Sequence, residues 1–212
     1  MNNFFDYFQI AGLAFFLIVF VGRTLYLRLS KNINPITLGV GKKGLQRIVE
    51  LSFFVGLIVW IVEVLLYALH TEFRLFPAPL DMQLIDTMPA KLIGVASVII
   101  AFIIFIWALV SFRDSWRIGI DEKTRGELIT TGIFAVSRNP IFIFVDLYFI
   151  GTFLINGALI FLIFAAVVVI GLHYQIIQEE KFLAKAYGQA YQDYCARTGR
   201  YFGWQRTSHA SR

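Results

Sequence analysis

The sequence predicts an all-α integral membrane protein with five transmembrane helices, the last two joined as a C-terminal helical hairpin. Three observations predict it. Of the 212 residues, 58% are hydrophobic and only 16% charged, against roughly 45–50% and ~25% in soluble globular chains. Phenylalanine alone occurs 22 times, and a soluble domain of this size has too much surface relative to core to bury so many. The apolar residues fall in five long runs, with most of the basic residues between them and in the tail. A water-soluble enzyme is therefore excluded. So is a nucleic-acid module, because the net charge of +5 is not gathered on one exposed face as phosphate binding needs. The single cysteine, Cys195, excludes an internal disulfide framework and a Cys-based zinc site, and no metal is expected.

A crossing needs about 20 mostly apolar residues. The first, residues 7–27, is uncharged between Asp6 and Arg23, and Arg23 and Arg28 can snorkel to the headgroups from its end. It lacks a basic leader and a small-residue cleavage site, so it reads as a retained span. The second, 48–69, carries Glu63 within it, and the third, 92–112, is uncharged. The fourth, 141–155, is short, rising only ~22 Å; it either stops short of a full crossing or meets a thinned bilayer. The fifth is 158–177. Between the last two stands Asn156-Gly157, a tight-turn dipeptide, so these two helices must form an antiparallel hairpin. Ionisable groups inside spans are costly and usually face a partner or a cavity, which marks Glu63 and Asp146.

Loop charges orient the chain. Arg23, Arg28, Lys31, Lys42, Lys43 and Arg47 lie between or flank spans one and two. The 112–140 segment and the tail after 177 are also rich in Lys and Arg, whereas 70–91 holds only Arg74 and Lys91. Positive-inside counting places the first loop, the 112–140 segment and the tail in the cytoplasm, with the N-terminus and the 70–91 loop outside. Residues 1–112 then read as three N-terminal transmembrane helices. Residues 113–212 read as a loop, hairpin and tail whose polar parts share one cytoplasmic face.

Two polar segments bracket the hairpin, and its return brings them together: Arg138 and Asn139 before it, Glu179 and Glu180 after it. A charged pair at a bilayer interface, beside aromatic residues, can hold a polar cofactor whose reactive end points into the lipid. Simpler readings stand beside this one. Arg138 can be a headgroup anchor ahead of Pro140, which suits a helix first turn. Glu179-Glu180 can be a solvated helix face, and His173 a structural interfacial histidine. Tyr187, Tyr191 and Tyr194 recur at helical spacing; they either cap a pocket or belong to an amphipathic tail helix lying on the membrane.

The order Gly132-Ile133-Phe134, Arg138-Asn139-Pro140-Ile141-Phe142, an apolar hairpin, Glu179-Glu180, then Tyr187-Gly188, Tyr191 and Tyr194 resembles the isoprenylcysteine carboxyl methyltransferase family and its phospholipid methyltransferase relatives, over roughly residues 110–203. The resemblance implies S-adenosylmethionine as methyl donor, bound from the cytoplasm, and a lipophilic small-molecule or lipid acceptor entering from the bilayer. It implies that Gly126, Glu127, Leu128 and Ile129 line the cofactor, with Phe134, Asn139, Pro140, Ile141, Phe142, Glu179 and Glu180, of which Glu179 matches the cofactor-binding glutamate. Arg138, His173 and Gln175 would serve the chemistry. Asn139 stands where the family usually has His, as in many bacterial members, so a prokaryotic inner membrane is expected; Asn cannot titrate near neutral pH. Phe142 stands in place of Tyr. Gln175 stands where the prenylcysteine enzymes carry an Arg that reads the substrate carboxylate, and such a site normally wants a bidentate cation. The rival readings are an NADPH-dependent sterol-type reductase with a similar C-terminal layout, and a non-enzymatic membrane protein with a vestigial site.

Overall fold

The computed structural model describes residues 3–31, 45–112 and 128–203. Among the described residues, six α-helices follow one another: α1 (Asn3–Lys31), α2 (Leu45–Ala68), α3 (Met88–Phe112), α4 (Pro140–Asn156), α5 (Leu159–Tyr187) and α6 (Gln189–Arg197). Among the described residues, extended pairing is limited to one isolated bridge, Gln83 with Ala158. The all-helical expectation holds. Each predicted span falls within or largely overlaps one of α1 to α5.

Four of these, α1, α2, α3 and α5, are long and apolar enough to cross a membrane, and α4 at 17 residues is shorter. Its rise is about 25 Å, slightly under the hydrocarbon thickness of ~30 Å. Helix α5 runs ten residues past the apolar stretch, to Tyr187. Hydropathy marks where the lipid ends, not where the helix ends: Gln178, Glu179, Glu180, Lys181 and Lys185 are good helix formers. The helix stops only at Gly188, whose φ is +54°.

Close packing centres on α3 against α4. Gly94 and Gly151 face each other so tightly that a Cβ on either would lie 2.7–2.8 Å from the other's carbonyl oxygen. Small residues at such a crossing let two backbones approach in lipid, where no hydrophobic force drives helices together. The Ser97 hydroxyl donates to the Leu147 carbonyl across the same interface at 2.9 Å. Below this contact Phe105 stacks on Phe144 with centroids 4.4 Å apart, and Trp60 of α2 stacks on Phe149 at 4.3 Å. The opposite faces stay apolar and exposed, with Ile103, Val110 and Ile170 at 60%, 69% and 70%, as a lipid-facing surface requires.

The hairpin turn is built as the Asn156-Gly157 dipeptide predicts. Gly157 takes φ +70°, the left-handed region that a side chain disfavours. Its carbonyl accepts the Leu84 and Ile85 amides at 2.8 and 3.2 Å, and Leu159 donates to the Met82 carbonyl at 3.0 Å. Asn156 exchanges amide hydrogen bonds with Gln9 of α1, at 2.6 and 3.3 Å. The 82–85 loop and α1 therefore clamp the far end of the hairpin, and its open ends converge on the opposite face.

Candidate functional site

The site begins where α4 begins. Pro140 occupies the first helical turn, where its missing N–H costs nothing. Asn139 precedes it as the cap, and its carbonyl accepts the Ile143 amide at 3.2 Å. Its side chain leaves the helix end alone. The Asn139 carboxamide donates instead to the Arg200 carbonyl at 3.1 Å and reaches toward Glu180 Oε1 at 3.5 Å. Ser137 completes the corner: its hydroxyl accepts the Asn139 amide at 3.1 Å and donates to the Arg200 carbonyl at 3.4 Å.

Glu180 is the centre of charge. Its Oε1 meets Arg138 Nη2 at 3.0 Å, while its Oε2 accepts from Arg200 Nε and Nη2 at 3.0 and 2.7 Å. The Glu180 and Arg138 side chains are only 12% and 13% exposed. Charge-assisted bonds at these lengths are strong, and removing Glu180 would leave the largely buried Arg138 guanidinium without its counter-charge, a loss of about 3–5 kcal/mol. Two guanidiniums against one carboxylate leave a surplus positive charge. The Glu180 bond holds Arg200 above its ordinary value.

The tail closes the site. Arg138 donates its backbone amide to the Gly199 carbonyl at 3.0 Å, and Thr198 reaches the Ala135 carbonyl at 3.4 Å. Helix α6 buries Tyr191 and Tyr194, each 3% exposed. The Tyr194 hydroxyl donates to the Phe134 carbonyl at 2.7 Å. Arg138 Nε is buried with no hydrogen-bond partner among the described residues, and the buried Tyr191 hydroxyl lies beside the Cys195 thiol. Burial pushes both phenols up, the Glu180 charge adding to the rise at Tyr191. Both tyrosines turn inward, packing α6 against the hydrophobic core that includes Phe134.

Of the residues singled out from the sequence, the structure gathers Arg138, Asn139 and Glu180 directly. Phe134, in the 3-10 turn Gly132–Ala135, is 7% exposed and packs edge-on against Phe112 at 4.7 Å. Pro140 is buried, while Leu128, Ile129, Ile141 and Phe142 are half-buried against the same core. Glu179 is half-buried beside Glu180. His173 is exposed and pairs with Tyr201, its Nδ1 2.6 Å from the hydroxyl. Gln175 is half-buried and stands outside the Glu180 hydrogen bonds among the described residues. Gly126 and Glu127 lie outside the described residues.

Sequence reasoning missed Arg200, Tyr201 and Ser137. Ser137 was available as the residue before Arg138. Nothing in the spacing of Arg200 and Tyr201 ties them to a site some sixty residues earlier, because the tail that carries them has no periodicity.

Residues 90–190 match the family model described as phospholipid methyltransferase. The match overlaps the stretch that carries the resemblance and extends it back through α3. It assigns this region to a family of integral membrane methyltransferases. No curated protein and no solved structure matches the chain.

Proposed function

With residues 90–190 forming a phospholipid methyltransferase domain, we propose that this membrane protein transfers a methyl group from S-adenosylmethionine to a lipophilic acceptor that reaches the site from the bilayer. The observation that carries the reading is the Arg138–Glu180–Arg200 cluster at the mouth of the last hairpin.

The donor set suits this cofactor's amino-acid end. A surplus positive charge favours its carboxylate, and the buried Arg138 Nε, unpartnered among the described residues, is a group a ligand can satisfy. A buried polar atom without a partner costs about 1–3 kcal/mol, so its persistence argues for a partner in the working state. Arg138 and Arg200 would take the carboxylate and Glu180 the ammonium. Phe134, Leu128 and Ile129 would supply the apolar wall, with Gly126 and Glu127 adjoining in sequence. Asn139 fixes the tail that carries Arg200 and thereby positions one of the two guanidiniums.

When bound, the cofactor supplies an electrophilic methyl group. The protein's part is alignment and exclusion of water. Holding acceptor and methyl in line can supply on the order of 7–11 kcal/mol of the barrier, and the apolar face of α4 below Asn139, with Ile141 and Phe142, keeps water out. Positive-inside counting supports a cytoplasmic position for this face, which is where the soluble cofactor is made.

The test is direct. Purified protein in detergent is given S-adenosylmethionine labelled at the methyl group together with an extract of membrane lipids. Label moving into the organic phase, and failing to move with Glu180→Gln, supports the reading. Equal partitioning of label with both proteins removes it.

A further inference from the structure

Residues 199–203 form a small closed loop with two different sides. The Gly199 amide donates to the Gly203 carbonyl at 2.7 Å, and Gly203 takes φ +123°, which a side chain disfavours. The inner side is fixed to the protein. The Arg200 carbonyl accepts from Asn139 and Ser137, and the Arg200 guanidinium holds Glu180. Tyr201 reaches the other way along α5. Its hydroxyl lies 2.6 Å from His173 Nδ1, with the two rings stacked at an interplanar angle of 16°. The next residue, Phe202, is 64% exposed.

The two anchors set the depth of the loop. His173 precedes Glu180 by seven residues on one helix and so lies about 10 Å nearer the bilayer centre. It also stands four residues before Ile177, where the apolar stretch of α5 ends. The loop therefore reaches from the charged cluster down to the last apolar turn of α5, the layer where lipid meets water. Other exposed rings mark the same layer. Tyr174 follows His173 on α5, and Trp107 stands five residues before the end of α3 at Phe112. Aromatic rings gather at this level because one part of the ring system is apolar and another tolerates the wet headgroups. A single exposed apolar side chain facing water needs no explanation. An exposed Phe held at this depth has lipid beside it.

We propose that the 199–203 loop is a membrane anchor: Phe202, level with Tyr174, enters the interfacial layer of the bilayer and holds the loop against the protein from the lipid side. Depth and continuity name the occupant of its outer face, since the exposed Val167 and Ile170 of α5 carry the same lipid-facing surface up to this level. Arg200 is then kept at Glu180 by two supports, the hydrogen bonds of the loop and the seating of Phe202 in lipid. The inference stands whatever the Glu180 cluster binds. It makes the integrity of that cluster depend on the membrane.

The test uses the full chain in nanodiscs of phosphatidylcholine and phosphatidylglycerol, which leave both faces accessible. In a Cys195→Ser background a nitroxide is attached at Phe202→Cys, with Ile170→Cys as the lipid reference and Gln192→Cys, exposed on α6, as the aqueous one. Collisions with oxygen, which partitions into lipid, are compared with collisions with a water-soluble nickel chelate. The label at 202 is expected to meet oxygen in preference to nickel, closer to the behaviour at 170 than at 192. A second measurement needs no label. Trypsin cuts after Arg200 when the loop lifts away, so release of the peptide that begins at residue 201 is followed by mass spectrometry. Phe202→Ser is expected to release it at least threefold faster than Phe202→Leu, which keeps an apolar anchor and matches the unaltered chain. Nickel collision at 202 equal to that at 192, protection of the label from both reagents, or equal release from Phe202→Ser and Phe202→Leu overturns the proposal.

Discussion

On α5 two adjacent glutamates differ by about 100° of helix rotation, and that rotation separates their environments. Glu180 turns toward Arg138, Asn139 and Arg200, while Glu179 sits half-buried beside it. The family resemblance points to Glu179; the hydrogen bonds place Glu180 at the cluster. Glu180→Gln keeps the shape and removes the charge. It is expected to weaken S-adenosylhomocysteine binding by about 10- to 100-fold, or roughly 1.4–2.8 kcal/mol, and Glu179→Gln by clearly less. Calorimetry on both variants checks this, and a larger loss for Glu179→Gln would reassign the cofactor carboxylate. That a glutamate pair meets Arg138 and Asn139 was legible from the hairpin alone. Which member does so depends on helix phase to within one residue, and a dipeptide of identical side chains carries no such phase.

Between elements, the α3–α4 crossing and the α6 lock are the contacts that hold the site's geometry. A methyl group at Gly94 would press on the Gly151 carbonyl at 2.7 Å and on Ile155, and backbone cannot move aside cheaply. Gly94→Ala is expected to lower stability by about 1–3 kcal/mol, read as a lower Tm in detergent; an unchanged Tm would mean the two helices sit farther apart. The buried phenols of Tyr191 and Tyr194 give a pH signature. Both are raised above 10 in the folded protein, so the fold binds those protons more tightly than the unfolded chain. That stability is fully present below pH ~10 and is lost as pH rises beyond it. Thermal unfolding at pH 8 to 11 is expected to show a steep fall above pH 10 that shrinks in Tyr191→Phe. The helices themselves were legible because apolar run length reports burial in lipid. The 178–187 extension of α5 was not, because propensity rather than hydropathy continues it. The docking of the 198–203 tail was not either, because the backbone carbonyls of Gly199 and Arg200 that accept from Arg138 and Asn139 are encoded by no side-chain pattern, and its Arg200 and Tyr201 contacts join residues far apart in sequence.

Across the whole molecule, two faces differ in kind. One end carries the Glu180 cluster, and the other carries the 82–85 clasp on the hairpin turn and the Tyr67–Asp81 hydrogen bond of 2.7 Å. The basic loops predict that the Glu180 end faces the cytoplasm. In a Cys195→Ser background, Glu72→Cys is expected to react with an impermeant maleimide applied to intact cells, and Gln192→Cys only after permeabilisation; the reverse pattern would invert the topology and put the cofactor site on the wrong side. The central claim is that this end binds a methyl donor, and binding of the demethylated cofactor tests it without knowledge of the acceptor. Calorimetric titration of the purified chain with S-adenosylhomocysteine and, separately, with NADPH is expected to show saturable one-site binding of the first, abolished or strongly weakened in Glu180→Gln, and none of the second. Binding of NADPH alone would make the protein a reductase-type enzyme, and binding of neither would leave the Arg138–Glu180–Arg200 cluster a structural knot.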